Sequence, residues 1–446
     1  MVIGVNDTLA FILGVVLFVL GLAVSIALHE VGHLVPAKLF GVKVTQYMIG
    51  FGRTLLSFRR GETEYGLKLV PLGGYIAMIG MYPPAKSGGA MRTASTGFFS
   101  TLVQDARDSS ASTIGEGEED RSFYRLPVWK RVVIMCGGPF MNLVIATVLF
   151  AIVLMGFGVV QPTTTIGSVS ECVLPATSTQ TSCAADDPVA PGAAAGILPG
   201  DTIVSIDGTG ISSWDQATAI IRASPGTDLD FVVERDGAEV ELTATPLLTE
   251  RYVTDADGEV VTDSDGAGVT QEVGFLGIGT TSALTPQPAS AVLPFVGENI
   301  AGVANVILNL PQRLHDVADA AFGSGDRDPN GPISVVGVGR IAGEIASLDD
   351  VPISSKFASL LGVIASLNIA LLVFNLVPLM PLDGGHIVGA LWEGIRRAFA
   401  KLFRRRDPGP VDTAKLMPLT FTVVILLGAM SALLIYADIV KPVSIL

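Results

Sequence analysis

The chain has 446 residues, of which 49% are hydrophobic and 16% charged, with a net charge of −14 and a mean hydropathy of +0.56. Soluble globular domains carry about 25% charged residues, so this composition indicates an integral membrane protein with a soluble portion. The acidic balance argues against nucleic acid as a partner, because binding to phosphate backbones requires clustered basic residues.

Four uncharged runs are long enough for transmembrane helices, which need about 20 apolar residues. They are Thr8–Leu28 (continuing to Ala37), Val132–Val160, Phe357–Leu382 and Leu416–Ala437. No basic region precedes the first run, so we expect a retained span and no removable signal peptide. A fifth segment, Ala289–Pro311, is interrupted by proline, glycine and Glu298, and we predict an interfacial or amphipathic helix there.

The distribution of charges predicts the orientation of these spans. Of the 28 Lys and Arg residues, 13 lie between Lys38 and Arg131 and seven between Arg396 and Lys415. The connection from Gln161 to Lys356 holds 27 of the 42 acidic residues. The positive-inside rule therefore places the connection between spans 1 and 2 and the connection between spans 3 and 4 in the cytoplasm. The acidic connection and both termini are expected outside.

The end of the first run carries an HExxH motif, His29-Glu30-Val31-Gly32-His33. Residues four apart share one face of a helix, so both imidazoles can bind one zinc ion. Glu30 lies beside them and can take a proton from a zinc-activated water. At 1.5 Å per residue, the preceding run places His29 roughly 30 Å into the membrane, near its cytoplasmic side.

A third zinc ligand has few candidates, because the chain has only four histidines. His315 lies in the outer connection, on the wrong side of the membrane. Asp383 and His386 both follow the third run, after a proline-interrupted stretch and around the tight Gly384-Gly385 turn. A carboxylate in an apolar setting is costly unless it is paired or bound to metal. Residue chemistry alone leaves Asp383 and His386 as equal candidates.

The outer connection contains a soluble module. Glycine turns bracket a strand within Gly196–Gly208, a helix is predicted at Trp214–Ala223, and strands follow at Leu229–Val233 and Glu239–Ala244. The pattern G-x-x-x-G-D-x-I beginning at Gly196 resembles a PDZ domain, over Thr165–Leu248. The resemblance implies peptide binding at a sheet edge; a structural spacer is the alternative.

The cysteines and two polar stretches predict further local features. We expect Cys172 and Cys183 to form a disulfide because they lie in the outer region, with two free thiols as the alternative. We assign no chemistry to Cys136, which suits apolar packing. Asp255–Asp265 lacks the spacing of a calcium loop and is interpreted as a solvated insertion. Pro83–Asp120 is interpreted as a disordered cytoplasmic insertion.

Several motifs together resemble the site-2 protease family of intramembrane zinc proteases, of the bacterial regulator-of-sigma-E type and its actinobacterial members. They are His29–His33, the glycine-rich loop Leu69–Tyr75, the GGPxxN sequence Gly137–Asn142, and Asn375 followed by Leu382-Asp383-Gly384-Gly385. Two features depart from the family pattern. The prolines before Leu382 are three residues apart, and Ala370 replaces a second Asn found in some members, which leaves a role for Asn368 in doubt.

This resemblance implies roles for individual residues. Asp383 would be the third zinc ligand, and Asn375 would hold substrate or stabilise the oxyanion. The strand-forming loop Lys68–Met78 can pair with unwound substrate, and Gly73 and Gly74 permit close backbone approach. The alternative for this loop is an inner cap, and the alternative for Asn375 is a hydrogen bond that packs helices. Asn142 has no firm role at this point, and His386 is assigned to the surroundings of the metal.

The resemblance also implies one Zn²⁺ per chain and cleavage of single-pass transmembrane substrates, such as trimmed anti-sigma factors, during regulated intramembrane proteolysis. The expected location is the bacterial inner membrane, with the lipid bilayer as a further partner. A catalytically inactive PDZ scaffold and a metal- or proton-coupled transporter are the alternatives. The transporter would predict internal repeats, and the sequence shows none.

The predicted fold is a polytopic α-helical membrane protein with about four transmembrane helices, an inserted extracytoplasmic PDZ-like α+β domain and a membrane-associated β loop. The predicted segments are 1–40 (first span with HExxH), 41–82 (β loop), 83–125 (polar insertion), 126–161 (second span), 162–248 (PDZ-like domain), 249–285 (acidic linker), 286–355 (interfacial region), 356–390 (third span with Asp383), 391–415 (basic cytoplasmic loop) and 416–446 (fourth span).

Overall fold

The computed structural model describes residues 5–83, 98–174, 178, 180, 182–253, 260–263, 267–323, 325, 327–328, 331–349 and 351–443. The chain divides into unit 1, residues 1–157 with 287–446, and unit 2, residues 158–286. Residues 84–97 of the predicted polar insertion, and 254–259 and 264–266 around the predicted acidic insertion, lie outside the described residues.

The described helices are numbered along the chain. They are α1 (Val5–Leu39), α2 (Phe98–Ser112), α3 (Val128–Ala151), α4 (Pro191–Ala194), α5 (Trp214–Ala223), α6 (Val292–Leu308), α7 (Leu310–Phe322), α8 (Val335–Ser347), α9 (Ile353–Asn375), α10 (Asp383–Leu402) and α11 (Met417–Val440). Helices α4 and α5 belong to unit 2, and the others to unit 1.

Five helical segments among the described residues are long and apolar enough to cross a membrane. They are Asp7–Leu39, Val128–Phe157, Ala289–Leu308, Ile353–Asn375 and Thr413–Val440. Four of them coincide with the predicted spans. The chain is therefore a multi-pass helical membrane protein with about five long apolar helices, one more than the sequence analysis predicted.

The additional helix is α6, which the sequence analysis assigned to the membrane interface because of its proline, glycine and glutamate residues. Pro294 lies in the first turn of α6, where backbone N–H groups have no partner within the helix, so it does not interrupt the helix. Glu298 is exposed. A single acidic residue on an exposed face leaves the remaining length apolar enough to qualify.

Helix α1 is the centre of unit 1. It runs parallel to α9, because a side chain at Gly21 would meet Ile364 and the Asn368 amide donates to the Ser25 hydroxyl at 2.9 Å, four residues further along both helices. It runs antiparallel to α3, because residues 29 and 33 meet residues 142 and 134. Helix α8 packs along the first half of α1, where Gly343 lies against the Phe11 ring.

A long antiparallel hairpin follows α1, formed by β1 (Val44–Arg60) and β2 (Thr63–Met78). Its base is buried: Tyr47 is 8% exposed, and its hydroxyl donates to the Ala27 carbonyl of α1 at 2.7 Å. The distal part of β1, from Phe51 onward, is exposed. The predicted loop at 41–82 is thus a hairpin that folds back on itself, because residues 46–49 of β1 pair with two parts of β2, and Lys38 of α1 donates to the Tyr65 hydroxyl at 2.8 Å.

Two segments that the sequence analysis interpreted as loops are helical. The prediction of disorder at Pro83–Asp120 was wrong for the part that forms α2. An ion pair between Arg107 and Asp412 and a hydrogen bond from the Tyr82 amide to the Ser110 hydroxyl fix this helix in place. The prediction of a basic loop at 391–415 was wrong up to Leu402, because α10 continues to that residue. Both helices are rich in polar residues, and tertiary contacts decide their structure.

Unit 2 is a β-sheet domain. Its strands are β3 (Val159–Val169), β4 (Thr202–Ile206), β5 (Thr209–Gly210), β6 (Leu229–Arg235), β7 (Ala238–Ala244), β8 (Leu247–Tyr252), β9 (Thr270–Phe275) and β10 (Ile278–Thr285). The main sheet has the order β10-β3-β4-β6-β7 with antiparallel pairing, and β8 and β9 form a separate hairpin. Because β10 returns to pair with β3, the unit extends to residue 286 and includes the predicted acidic linker.

The core of unit 2 is formed by alternating apolar residues of the sheet. Ile203 and Ile206 of β4 pack with Phe231 and Val233 of β6, and all four are 1% exposed or less. Phe231 and Val233 are two residues apart and so share one face of the sheet, whereas Ile203 and Ile206 are three apart and are brought to that face by a register shift between Ile203 and Ser205. Cys172 and Cys183 are joined by a disulfide in this unit, with their Cα atoms 5.9 Å apart.

Candidate active site

The HExxH motif lies on α1, where four-residue spacing brings its two histidines to one face. Their Nε2 atoms are 3.2 Å apart. His33 is 5% and Glu30 8% exposed, which is unusual for ionisable residues and indicates that this face of α1 is covered by protein.

Asp383 is the first residue of α10, where a negative charge is favoured by the helix dipole. The chain reaches it from the end of α9 through a tight turn. A Cβ at Gly384 would lie 2.3 Å from the Val377 carbonyl oxygen, so only glycine fits the turn. Its Oδ2 atom lies 3.6 Å from His29 Nε2 and 3.3 Å from His33 Nε2.

These three residues form a donor set that suits zinc. Their ligand atoms all lie within 4.8 Å of one another. The buried Asp383 Oδ2 atom receives no hydrogen bond. Two imidazole nitrogens and one carboxylate oxygen, with a fourth position for water, are typical of catalytic zinc sites. The geometry therefore brings together the three ligands that the sequence analysis proposed.

The hydrogen bond at the other ring nitrogen of His33 fixes its tautomer. His33 Nδ1 lies 2.7 Å from the Ile134 carbonyl oxygen on α3. A carbonyl can only accept, so Nδ1 carries the proton and donates it. The Nε2 lone pair then faces Asp383 and is free to bind a metal.

The corresponding contact of His29 is made by Asn142 of α3, a residue to which the sequence analysis gave no role. The Asn142 side chain is 0% exposed, and its amide nitrogen lies 3.1 Å from His29 Nδ1. Its Oδ1 atom is buried and has no hydrogen-bond partner among the residues that the structure describes. If His29 Nε2 binds a metal, Nδ1 carries the proton, and a half-turn of the amide would present Oδ1 to it as the acceptor.

Glycines of α3 leave the space in which the site forms. A Cβ at Gly138 would lie 2.2 Å from His33 Nε2 and 2.6 Å from His29 Nε2, so any side chain there would block these two nitrogens. One residue earlier, a Cβ at Gly137 would lie 2.0 Å from the Gly32 carbonyl oxygen, so the two helices cross in backbone contact. The GGPxxN motif was visible in the sequence, but its role depends on this crossing.

The hairpin reaches the site through its second glycine. Position 74 lies against Glu30, because a Cβ there would be 3.0 Å from Glu30 Cγ. Gly73 has a φ of +129°, and a Cβ there would meet the Phe51 ring at 2.2 Å. Gly74 therefore lets β2 pass close to the candidate base, and Gly73 lets it pack against the Phe51 ring of β1.

The other sequence candidates occupy different positions. His386 lies near Asp383 but lines a small cavity with Arg131 and Thr413, outside the donor cluster. Asn375 ends α9, and its amide makes no hydrogen bond within the described part of the chain. Asn368 packs α9 onto α1 and is 0% exposed. His315 is on α7, 3.6 Å from Asp319, with its side chain 65% exposed.

Comparison with known proteins agrees with this geometry. The family model described as Peptidase family M50 matches residues 17–405. The chain belongs to peptidase family M50. This M50 peptidase is a zinc metalloprotease of the site-2 protease family, as the sequence resemblance predicted.

Curated relatives of this M50 peptidase align over nearly its full length. It is 34% identical over 441 residues to zinc metalloprotease Rip1 of Mycobacterium tuberculosis, covering 98% of this chain and 99% of the relative. It is 33% identical over 449 residues to Rip1 of Mycolicibacterium smegmatis, with the same coverage. It is 29% identical over 402 residues to metalloprotease MmpA of Caulobacter vibrioides, covering 87% of this chain and 88% of the relative.

Proposed function

We propose that this peptidase is an intramembrane endopeptidase that cuts single-pass transmembrane proteins. The observation that carries the proposal is the position of the donor cluster. His29 and His33 lie within the long apolar segment Asp7–Leu39, and Asp383 follows the apolar segment Ile353–Asn375. A hydrolytic site held between membrane helices suits a substrate that is itself a membrane segment.

The site residues have separate roles in this proposal. His29, His33 and Asp383 hold the ion, and bound zinc supplies the Lewis acidity that activates water and polarises a peptide carbonyl. Glu30 takes a proton from the attacking water and returns it to the leaving amine. Asn375, eight residues before Asp383, donates from its amide to the developing oxyanion. Its lack of a hydrogen-bond partner in the described residues leaves the amide available.

The hairpin is proposed to hold the substrate as a strand. A helical substrate hides its peptide bonds in internal hydrogen bonds, so it must unwind before cleavage. The β2 strand passes Glu30 at Gly74, where the absence of a side chain lets another backbone approach. Pairing of the unwound segment with a hairpin edge would place its peptide bonds next to the candidate base.

The directions of the helices support an orientation for the chain in the membrane. Helices α1 and α9 run parallel and end together at the donor cluster, whereas α3 runs back. Helix α3 therefore ends, and α9 begins, on the side of the membrane where α1 begins. Helix α7, which directly follows α6, packs on Leu434 and Ala437 near the C-terminal end of α11. This contact supports a path between α3 and α9 that does not cross the membrane again. We accordingly propose that α6 does not make a single, unpaired crossing of the membrane.

In this proposal the chain spans the inner membrane of a bacterial cell. The basic connections then lie in the cytoplasm and unit 2 lies outside it. We further propose that unit 2 is a PDZ-like domain that binds peptide, and that the substrates include anti-sigma factors already trimmed on the outside. The resemblance to regulator-of-sigma-E proteases supports this substrate class.

The test is a comparison of membrane proteomes from cells that express the active protein or its Glu30→Gln variant. We expect single-pass proteins to accumulate in the variant and their cut fragments to disappear. Glu298→Gln on α6, an exposed carboxylate in another apolar helix, is the matched control and should behave like the wild type. Unchanged fragments in Glu30→Gln cells would refute the assigned mechanism.

A further inference from the structure

Helix α10 exposes a continuous apolar stripe. The exposed apolar residues recur every three or four positions, from 47% exposed at Val388 to 74% at Leu402. They are Val388, Leu391, Trp392, Ile395, Phe399, Leu402 and Phe403. This spacing keeps them on one helix face. A stripe of this length on the outside of a protein requires an apolar environment.

The opposite face of α10 is polar and packs inward. Glu393 is 0% exposed and forms an ion pair with Arg131 of α3 at 2.6 Å. Arg397 lies 3.0 Å from the same carboxylate. Helix α10 thus exposes its apolar face and packs its polar face against the protein, which is the reverse of a surface helix on a soluble protein. Helix α10 is not among the five candidate spans, so this pattern fits a helix lying in a membrane surface.

Arginines border the stripe at its end. After Leu402 the chain turns back, with the Arg405 amide bonded to the Ala400 carbonyl at 2.7 Å. An open groove of about 480 Å³ results, lined by Trp392, Phe399 and Phe403 together with Arg396, Arg405 and Arg406. Within the described residues, no carboxylate pairs with these three arginines. The groove combines apolar walls with unneutralised guanidinium groups.

We propose that this groove binds an anionic phospholipid. The lipid phosphate would lie against Arg396, Arg405 and Arg406, because guanidinium groups match phosphate oxygens in geometry and charge. An acyl chain would cover Trp392 and Phe399. The chain as a whole carries −14, so a cluster of three arginines without a paired carboxylate in the described residues is a local departure from its acidic balance. The proposal depends on the membrane location of the chain and not on its peptidase chemistry.

Tryptophan fluorescence tests the proposal directly. The chain has three Trp residues, so Trp129→Phe with Trp214→Phe leaves Trp392 in the groove as the only emitter. The full-length protein in uncharged detergent micelles is titrated with phosphatidylglycerol or phosphatidylcholine that carries brominated acyl chains. We expect phosphatidylglycerol to quench Trp392 at roughly tenfold lower concentration, because each basic residue near an anionic lipid adds attraction.

Variants separate the groove from general lipid contact. Arg405→Gln with Arg406→Gln should reduce quenching by phosphatidylglycerol to the level of phosphatidylcholine. Arg405→Lys with Arg406→Lys should keep most of the preference, since charge is retained. Arg59→Gln with Arg60→Gln, an exposed pair at the hairpin tip, is the matched control and should have no effect.

Three results would overturn the proposal. Equal quenching by both lipids would show an apolar surface without headgroup recognition. If inorganic phosphate, at the same concentration as the brominated phosphatidylglycerol, fully prevented the quenching of Trp392, the groove would be a site for free phosphate. Emission that changes with protein concentration, together with a dimer in native mass spectrometry, would show that a second copy of the chain covers the groove.

Discussion

Asn142 contacts the ring nitrogen of His29 that faces away from the donor cluster. The Asn142 amide faces His29 Nδ1 at 3.1 Å, whereas the His33 ring contacts the Ile134 carbonyl and the Asp383 carboxylate. Since a metal-binding Nε2 requires a protonated Nδ1, the atom of Asn142 that faces the ring must be an acceptor. Asn142 is therefore expected to act as a positioning residue.

Replacing Asn142 tests this role. Asn142→Asp keeps an acceptor and should retain zinc affinity, whereas Asn142→Ala removes it and should weaken zinc binding about 10–100-fold. Chelator competition on the purified protein measures the affinity. Equal affinities for the Ala variant and the wild type, or equal losses in both variants, would contradict the role.

At the residue scale, the sequence was informative where chemistry and spacing coincide. His29, Glu30 and His33 were assigned from their spacing alone. Asp383 and His386 remained equal candidates, because both are possible ligands three residues apart. The α10 helix separates them, since it directs Asp383 toward the histidines and His386 toward the cavity with Arg131. Asn142 could not be assigned because nothing local marks its distance to His29.

At the element scale, the crossing of α1 and α3 is the critical contact. Gly32 and Gly137 bring the two backbones together, and this approach places His33 within hydrogen-bonding distance of Ile134. Long uncharged runs predicted α1, α3, α9 and α11 because length and apolarity suffice for membrane helices. Helices α2 and α10 were not predicted, since their polar residues gain partners only in the folded chain.

Gly137→Ala should disrupt the crossing. The added Cβ would lie 2.0 Å from a backbone oxygen that cannot move alone, so we expect a destabilisation of about 1–3 kcal/mol or more. Gly362→Ala on α9 is the control, because nothing lies within 4 Å of its Cβ position. Thermal unfolding in detergent compares them. A Gly137→Ala variant as stable as Gly362→Ala would show that the helices do not cross in backbone contact.

An ion pair in unit 2 predicts a pH effect. Hydrogen bonds from Arg235 lower the pKa of Asp201, against the effect of burial, and the Leu198 amide adds to this. A lowered folded pKa stabilises unit 2 above the unfolded pKa of about 3.9, and the contribution is lost as pH falls below it.

Hydrogen exchange in β4 and β6 of the full-length protein is the measurement for this pair. Protection should fall as pH drops from about 5 toward 3 in the wild type. After correction for intrinsic exchange, Asp201→Asn should show lower protection at neutral pH and a weaker dependence on pH. Glu239→Gln, an exposed carboxylate on β7, should match the wild type. A pH dependence unchanged in Asp201→Asn would assign the effect to other groups.

At the scale of the whole molecule, the order of segments was predictable but their limits were not. Charge counting separated one acidic connection from two basic ones, and unit 2 falls within the acidic connection. Its end was placed too early, because β10 pairs with β3 across more than 100 residues and no local signal marks that pairing. The apolar helix α6 was not predicted as a span because Pro294, Gly297 and Glu298 were weighed as interruptions, although the segment is long and apolar enough to qualify.

Cysteine labelling tests the proposed orientation. In a Cys136→Ala background, single cysteines at Ser109 of α2 and Arg406 should be protected from a membrane-impermeant maleimide in intact cells. A cysteine at Glu239 of unit 2 should be labelled, because unit 2 is expected outside. All three positions are exposed in the structure. The reverse pattern would invert the orientation.

The most direct test of the account is cleavage of a purified single-pass protein by the purified peptidase in liposomes, with the cut mapped by mass spectrometry. We predict a cut within the apolar segment of the substrate by the wild type. Glu30→Gln should bind one zinc per chain and produce no cut. Cleavage by Glu30→Gln, or a cut only outside the apolar segment, would contradict intramembrane proteolysis with Glu30 as the base.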